Sequence, residues 1–256
     1  MLSFCRLRLQ PGYQILKKTH CLTYVGDPML KAKSYASSLN NKINKVKVVT
    51  NICSLQNRDF SIIASNCTGT LPYRFLKSRY NTPTANLLFM APCYLKFIKN
   101  LEYYLSIPMV FYTTSRYKHG ENIRAAHQHY YPIGTLDDIE VHFMHYKTVA
   151  DAKDKWEKRK QRINYDNMIF AFTDKDLCTP EHLYEFDAID HPHKYVLTAN
   201  YWPDIKCAIQ VPYFAGQKEI GDCYTHYEHL AHIDFRMLVD HAAPREQPQP
   251  ALYASQ

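Results

Sequence analysis

Hydrophobic positions in this chain fall into short runs separated by polar, helix-like stretches. Residues 137–147 read D-D-I-E-V-H-F-M-H-Y-K, with Ile139, Val141 and Phe143 on one face and Asp138, Glu140 and His142 on the other. A period of two reads as a strand with one face in the core and one polar face. Phe60–Ser65, Met109–Thr113, Asn167–Phe172, Tyr195–Ala199 and Cys207–Val211 are short apolar runs of strand type. Helices are predicted over Leu71–Tyr80, from Pro83 to about Asn100, and from Val149 to Ile163. Thr179-Pro180-Glu181 supplies a capping hydroxyl and a first-turn proline, which is a helix start. Residues 114–136, polar and rich in His and Tyr, read as a loop. Strands alternating with helices predict a layered α/β fold: a sheet with helices on both faces, Rossmann-like in general architecture.

The ends differ from the middle. Up to Arg58 there are ten Lys or Arg and one acid, Asp27, so residues 1–57 read as a basic lead-in, helical or partly disordered. Residues 58–243 form the predicted α/β domain, and 244–256, with three prolines, a disordered tail. The net charge of +7 favours anionic lipid or phosphorylated substrates, although a solvated basic extension explains it equally well. Nucleic acid is set aside, because no recognition motif is present and aromatics do not interleave with the basic runs.

Mean hydropathy is −0.41, and no apolar run approaches the roughly 18–20 residues of a membrane span, so a soluble protein is expected. Met1–His20 lacks the apolar centre of a secretory signal. Eight dispersed cysteines without C-x-x-C suit free thiols. The expected location is cytoplasmic, with peripheral association at the inner membrane face as the role of the basic segment.

Four features carry candidate chemistry. No G-x-G-x-x-G, P-loop or G-x-S-x-G is present among only seven glycines. Cys67 follows a predicted strand at the turn into a helix, where a thiol with a histidine base nearby serves as nucleophile; the alternative is a packing cysteine. His142, oriented by Asp138 or Glu140, is a candidate general base. Asp174-Lys175-Asp176 follows an apolar strand, the setting in which carboxylates hold Mg²⁺ or Mn²⁺ against a diphosphate; the alternative is capping of the next helix. Lys155, Arg159 and Arg162 share a helix face that could hold phosphate, or simply meet solvent.

The ordered motifs S-N-C-T-G (65–69), Y-N-T-P-T (80–84), Y-P-I-G-T-L-D-D-I-E-V-H-F-M-H-Y-K (131–147), A-K-D-K-W-E-K-R-K-Q-R-I (152–163) and D-K-D-L-C-T (174–179) make the chain resemble the bacterial domain-of-unknown-function family 1919, often labelled exopolysaccharide biosynthesis proteins. The resemblance covers roughly residues 58–215. Members typically carry a second Asn before the cysteine and a Trp after it, where this chain has Ser65 and Thr68.

The resemblance implies an α/β fold and a role near surface-glycan assembly. The leading expectation is an enzyme of capsular or exopolysaccharide synthesis that transfers a glycosyl or related group from an activated, phosphate-bearing donor. In it Asp174 and Asp176 hold a metal, and His142 acts as base. Asn66, Asn81, Thr84, His145, Lys155, Arg159 and Arg162 bind substrate or phosphate. The alternatives are a Cys67-dependent acyltransferase or hydrolase acting on the glycan, and a non-catalytic partner of glycosyltransferases.

Overall fold

The computed structural model describes residues 28–127 and 130–241, so the expectations for residues 1–27 and for the Pro-rich tail lie outside the described residues. The chain divides into two units, Met1–Leu39 and Asn40–Gln256. In the first, the described residues form the start of a helix. The second contains the site and is described from here on.

In chain order the elements are α1 (Pro28–Cys53), β1 (Ser61–Ala64), a 3-10 turn (Cys67–Thr70) running into α2 (Leu71–Leu76), α3 (Ala91–Lys99) and α4 (Leu101–Ser106). Then come β2 (Val110–Tyr112), α5 (Lys118–Ala126), β3 (Ile133–Leu136), β4 (Ile139–His142), α6 (Val149–Lys160), β5 (Met168–Thr173), α7 (Pro180–Asp187) and β6 (Lys194–Thr198). β7 (Ala208–Gln210), two further 3-10 turns (Pro212–Phe214 and Tyr227–Leu230) and α8 (Phe235–Val239) complete the described chain.

A parallel sheet of order β1-β5-β6-β7 forms the centre, and an antiparallel sheet β2-β3-β4 stands beside it. The strands of the parallel sheet send alternate side chains to two cores. Ile63, Phe170, Phe172 and Val196 enter one, with α3, Trp156 of α6 and Leu183 of α7. Ile62, Ile169, Ala171, Tyr195 and Leu197 enter the other, with Val48 and Ile52 of α1 and Phe235 of α8. Both faces are therefore covered, which is why these strands read as continuous apolar runs rather than alternating ones.

β1 lies at the edge of the parallel sheet, and its outer side is closed by side chains and a stretch of extended chain. Ile62 N–H donates to the Tyr73 hydroxyl, which donates to Phe60 O; Ala64 N–H donates to Thr84 Oγ1; Tyr94 Oη donates to Ile63 O. Phe89 N–H reaches Ser65 O, and Leu88 pairs with His142 of β4. After a turn at 83–86, in which Asn86 takes a left-handed conformation (φ 63°), residues 87–90 link the two sheets as extended chain. For this reason the helix expected from Pro83 begins only at Ala91: tertiary hydrogen bonds take this segment, and Pro92 opens α3. The expected loop at 114–136 instead contains α5 and β3. Gly120 and Gly134, poor formers of both elements, mask it in sequence, and packing selects the structure.

The strand at 139–142 is present, but its polar face does not meet solvent. Glu140 is 1% exposed and His142 is 0% exposed. Asp138 is in the hairpin turn, where Asp137 takes a left-handed conformation (φ 53°).

Candidate functional site

The turn after β1 and the chain after β4 converge. β4 ends at His142, and the bend through Met144 brings His145 out of strand geometry, so the H-x-x-H spacing separates the two histidines. Cys67 Sγ lies 3.2 Å from His145 Nε2. The pair sits in a cleft of about 330 Å³ beyond the C-terminal ends of β1 and β5, the position at which α/β sheets present ligand sites. Lys175 and Asp176 after β5, Ile123 of α5, and Asp222, Tyr224 and Thr225 from the C-terminal segment complete its walls.

Asn66 fixes the local backbone. Its side chain accepts from Thr68 N–H (3.1 Å) and donates to Thr173 Oγ1 of β5 (2.8 Å), so the cysteine turn is tied to the neighbouring strand. Gly69 allows the turn to close, since a Cβ there would stand 2.3 Å from the Ala64 Cβ. On the facing wall, Asp176 and Leu177 both adopt positive φ (56° and 70°), an uncommon pair of left-handed residues. That bend carries Asp176 O to Ala91 N–H and its carboxylate to within 3.3 Å of His119 Nε2. Asp222 Oδ1 accepts from Tyr224 and Thr225 N–H.

Electrostatics favour a neutral resting pair. Burial pushes the Cys67 thiol up to about 12, the carboxylate of Asp222 adds to this, and Asp176 acts in the same sense. Partial desolvation, and then His127, lower the His145 imidazole below its ordinary value. At neutral pH the arrangement is therefore S–H beside a neutral imidazole, a geometry in which the ring can accept the thiol proton.

The other expected site residues have different geometry. Asp138 does not orient His142: it pairs with Lys96 Nζ and accepts from Tyr104 Oη (2.7 Å) at the surface. Glu140 does orient it, with Oε1 2.6 Å from His142 Nε2. Tyr131 Oη sits 3.0 Å from Nδ1, so both ring nitrogens are occupied. Glu140 also accepts from Ser115 Oγ and from Arg116 N–H (2.8 Å). A Cβ at Gly120 would fall 2.9 Å from His142 Cε1, which shows how closely α5 seals the ring. His142 therefore has no open face for a substrate, and the imidazole beside Cys67 is His145.

Asp174 does not project as a metal ligand. Its oxygens accept from Ala199 N–H (2.6 Å) and Ile220 N–H (2.9 Å), tying β5 to the chain after β6. Of the two aspartates only Asp176 lines the cleft, beside Lys175, and among the described residues neither belongs to a cluster of three possible metal ligands. Asp174, held by two backbone N–H groups, is therefore not the second ligand expected for Mg²⁺ or Mn²⁺.

Arg159 is likewise withdrawn from solvent: it donates to Ala85 O (2.9 Å) and to the Tyr146 hydroxyl, under the Tyr80 ring. Arg162 lies in the turn after α6, not on its face, and donates to Tyr80 O, while Lys155 within α6 is half-buried. The expected phosphate stripe is thus mainly a set of braces. Thr84 and Asn81 brace β1, with Asn81 O accepting from Ser61 Oγ. Sequence reasoning missed His119, Lys175, Asp222 and Tyr224; the D-C-Y-T turn signature was the available signal for the last two.

Comparison with known proteins places the chain. A family model described as a domain of unknown function (DUF1919) matches residues 38–241. The chain belongs to this family. A protein of Haemophilus influenzae described as uncharacterized is 30% identical over 170 residues, covering 66% of this chain and 76% of its own length. The DUF1919 match begins twenty residues before the motif-based estimate of 58, and it takes in the part of α1 whose Val48 and Ile52 enter the second core.

Proposed function

We propose that this DUF1919 protein is a cysteine-dependent acyl-transfer enzyme or hydrolase, with Cys67 as nucleophile and His145 as general base. The observation that carries the reading is the 3.2 Å Sγ–Nε2 contact in an open cleft at the C-terminal edge of a parallel sheet. In the first half-reaction Cys67 Sγ attacks the carbonyl carbon of an ester while its proton passes to His145 Nε2. The tetrahedral adduct collapses, the C–O bond breaks, and the leaving alkoxide takes that proton. In the second half-reaction water or an acceptor hydroxyl attacks the thioester, gives its proton to His145, and Sγ departs to be reprotonated. No oxidant, metal or phosphate is required.

The surface-glycan role implied by the sequence resemblance suggests O-acyl groups on a sugar as the substrate class. Asp176, Asp222 and Thr225 give the cleft a rim suited to hydroxyl-rich ligands. The phosphate-donor transferase is less well supported, because Asp174 and Arg159 are held in structural contacts.

The test uses p-nitrophenyl acetate as an activated ester, with release of p-nitrophenol followed in the first turnover and the intact mass measured. A stoichiometric burst with an acetyl adduct on Cys67, absent in Cys67→Ala and slowed in His145→Asn, is expected. An adduct that forms equally on the Cys67→Ala protein refutes the assignment.

A further inference from the structure

A second cluster lies in the segment H-Y-E-H at 226–229, outside the residues lining the cleft. We propose that His226, Glu228 and His229 form a binding site for a divalent transition-metal ion of the Zn²⁺ class. His226 caps the 3-10 turn Tyr227–Leu230, and with three residues per turn positions 226 and 229 project on the same side. Their rings lie near parallel, with centroids 6.0 Å apart. One ligand atom from each of the three side chains falls within 4.8 Å of the others.

An independent observation points to a ligand. Glu228 is 5% exposed, and its Oε2 is buried with no hydrogen-bond partner among the described residues. Native proteins rarely leave such an atom unsatisfied, and a bound ion is one of the standard explanations. The nearest recorded charge is Lys45 Nζ at 3.5 Å, on a side chain 41% exposed and able to swing away. The Tyr213 ring, stacked on His229 at 3.6 Å, fixes its plane.

Two imidazoles with one carboxylate select Zn²⁺, Co²⁺ or Ni²⁺ over Mg²⁺ or Ca²⁺. Tetrahedral Zn²⁺ ligands stand about 3.4 Å apart, so the cluster must contract by about 1.4 Å. His226, whose side chain is 58% exposed, can supply that movement by rotation. The fourth position is left to water.

The full chain, stripped with chelator, is titrated with Co²⁺ alone and followed by its visible d–d absorption, then displaced with Zn²⁺. One equivalent is expected, without thiolate charge-transfer bands. His226→Ala, an exposed change that leaves the unfolding midpoint of the stripped protein unaltered, should weaken binding by more than about tenfold. Lys45→Ala, which removes a competing ammonium, should tighten it, and Cys67→Ala should bind as the natural chain does. Unchanged binding by His226→Ala, a thiolate charge-transfer band, or weaker binding by Lys45→Ala would each overturn the proposal.

Discussion

Replacing Glu140 separates a buried structural network from a catalytic one. Its carboxylate is held by the His142 imidazole at 2.6 Å, the Arg116 N–H at 2.8 Å and the Ser115 hydroxyl, in a side chain with almost no exposure. Glu140→Ala leaves His142 and a backbone N–H buried without their acceptor, a loss of about 3–5 kcal/mol for a broken buried pair. At about 2–4 °C per kcal/mol for a chain of this size, the unfolding midpoint falls by roughly 6–20 °C. Glu140→Gln keeps the shape but loses the charge-assisted part, about 1.5–3 kcal/mol, or roughly 3–12 °C.

The network also has a pH signature. Burial would raise the Glu140 carboxyl, but hydrogen bonds from His142, Ser115 and the Arg116 N–H hold it below its ordinary value. A depressed folded value means stability that is complete above the unfolded pKa of about 4.3 and is lost as pH falls from there through the folded value. Thermal unfolding by circular dichroism between pH 3 and 8 measures both effects, and Glu140→Gln should flatten the acid limb. If Glu140→Gln leaves the midpoint within a degree of the natural chain yet abolishes ester turnover, His142 belongs to the chemistry and the structural reasoning is wrong.

Two further outcomes follow from the cleft. Because Cys67 is held protonated and the His145 imidazole neutral, the acetylation rate should rise with a midpoint below about 6.5 and then stay flat to pH 9; a second rise near the free-thiol value of about 8.5 would show that the imidazole is not the base. Gly69→Ala drives a Cβ against Ala64, a contact between atoms fixed to backbone, and should cost about 1–3 kcal/mol while slowing Cys67 acetylation; an unchanged midpoint would mean the turn can open freely.

The parallel strands were legible because both their faces are buried: runs such as Asn167–Phe172 need no periodicity to reveal them. Thr179-Pro180-Glu181 marked the start of α7 because capping chemistry is local. The row Asp138, Glu140, His142 is unusual in sequence, yet alternation cannot tell a solvent face from a second buried face: Asp138 stays exposed in the turn, while α5 helps cover Glu140 and His142. The site was half visible. Cys67 stood out by its place after a strand, but its pairing with His145 rather than His142 depends on a bend three residues long after β4. Arg159 looked like a surface charge because helical spacing says nothing about Ala85 O waiting opposite.

The parallel pairing of β1 with β5 has a consequence for how the protein is made. Ser61 meets Met168, so 107 residues (168 − 61) must be synthesised and looped before the first ladder bond can form. Contacts of that sequence separation close slowly, and until then the apolar strand Ser61–Ala64 is open to other chains. Cys67 and His145 come from segments 78 residues apart and meet only after this step. Proximity of the pair is therefore a clock for maturation: a nascent or misfolded chain carries the thiol without the imidazole, and only the finished sheet brings the two together.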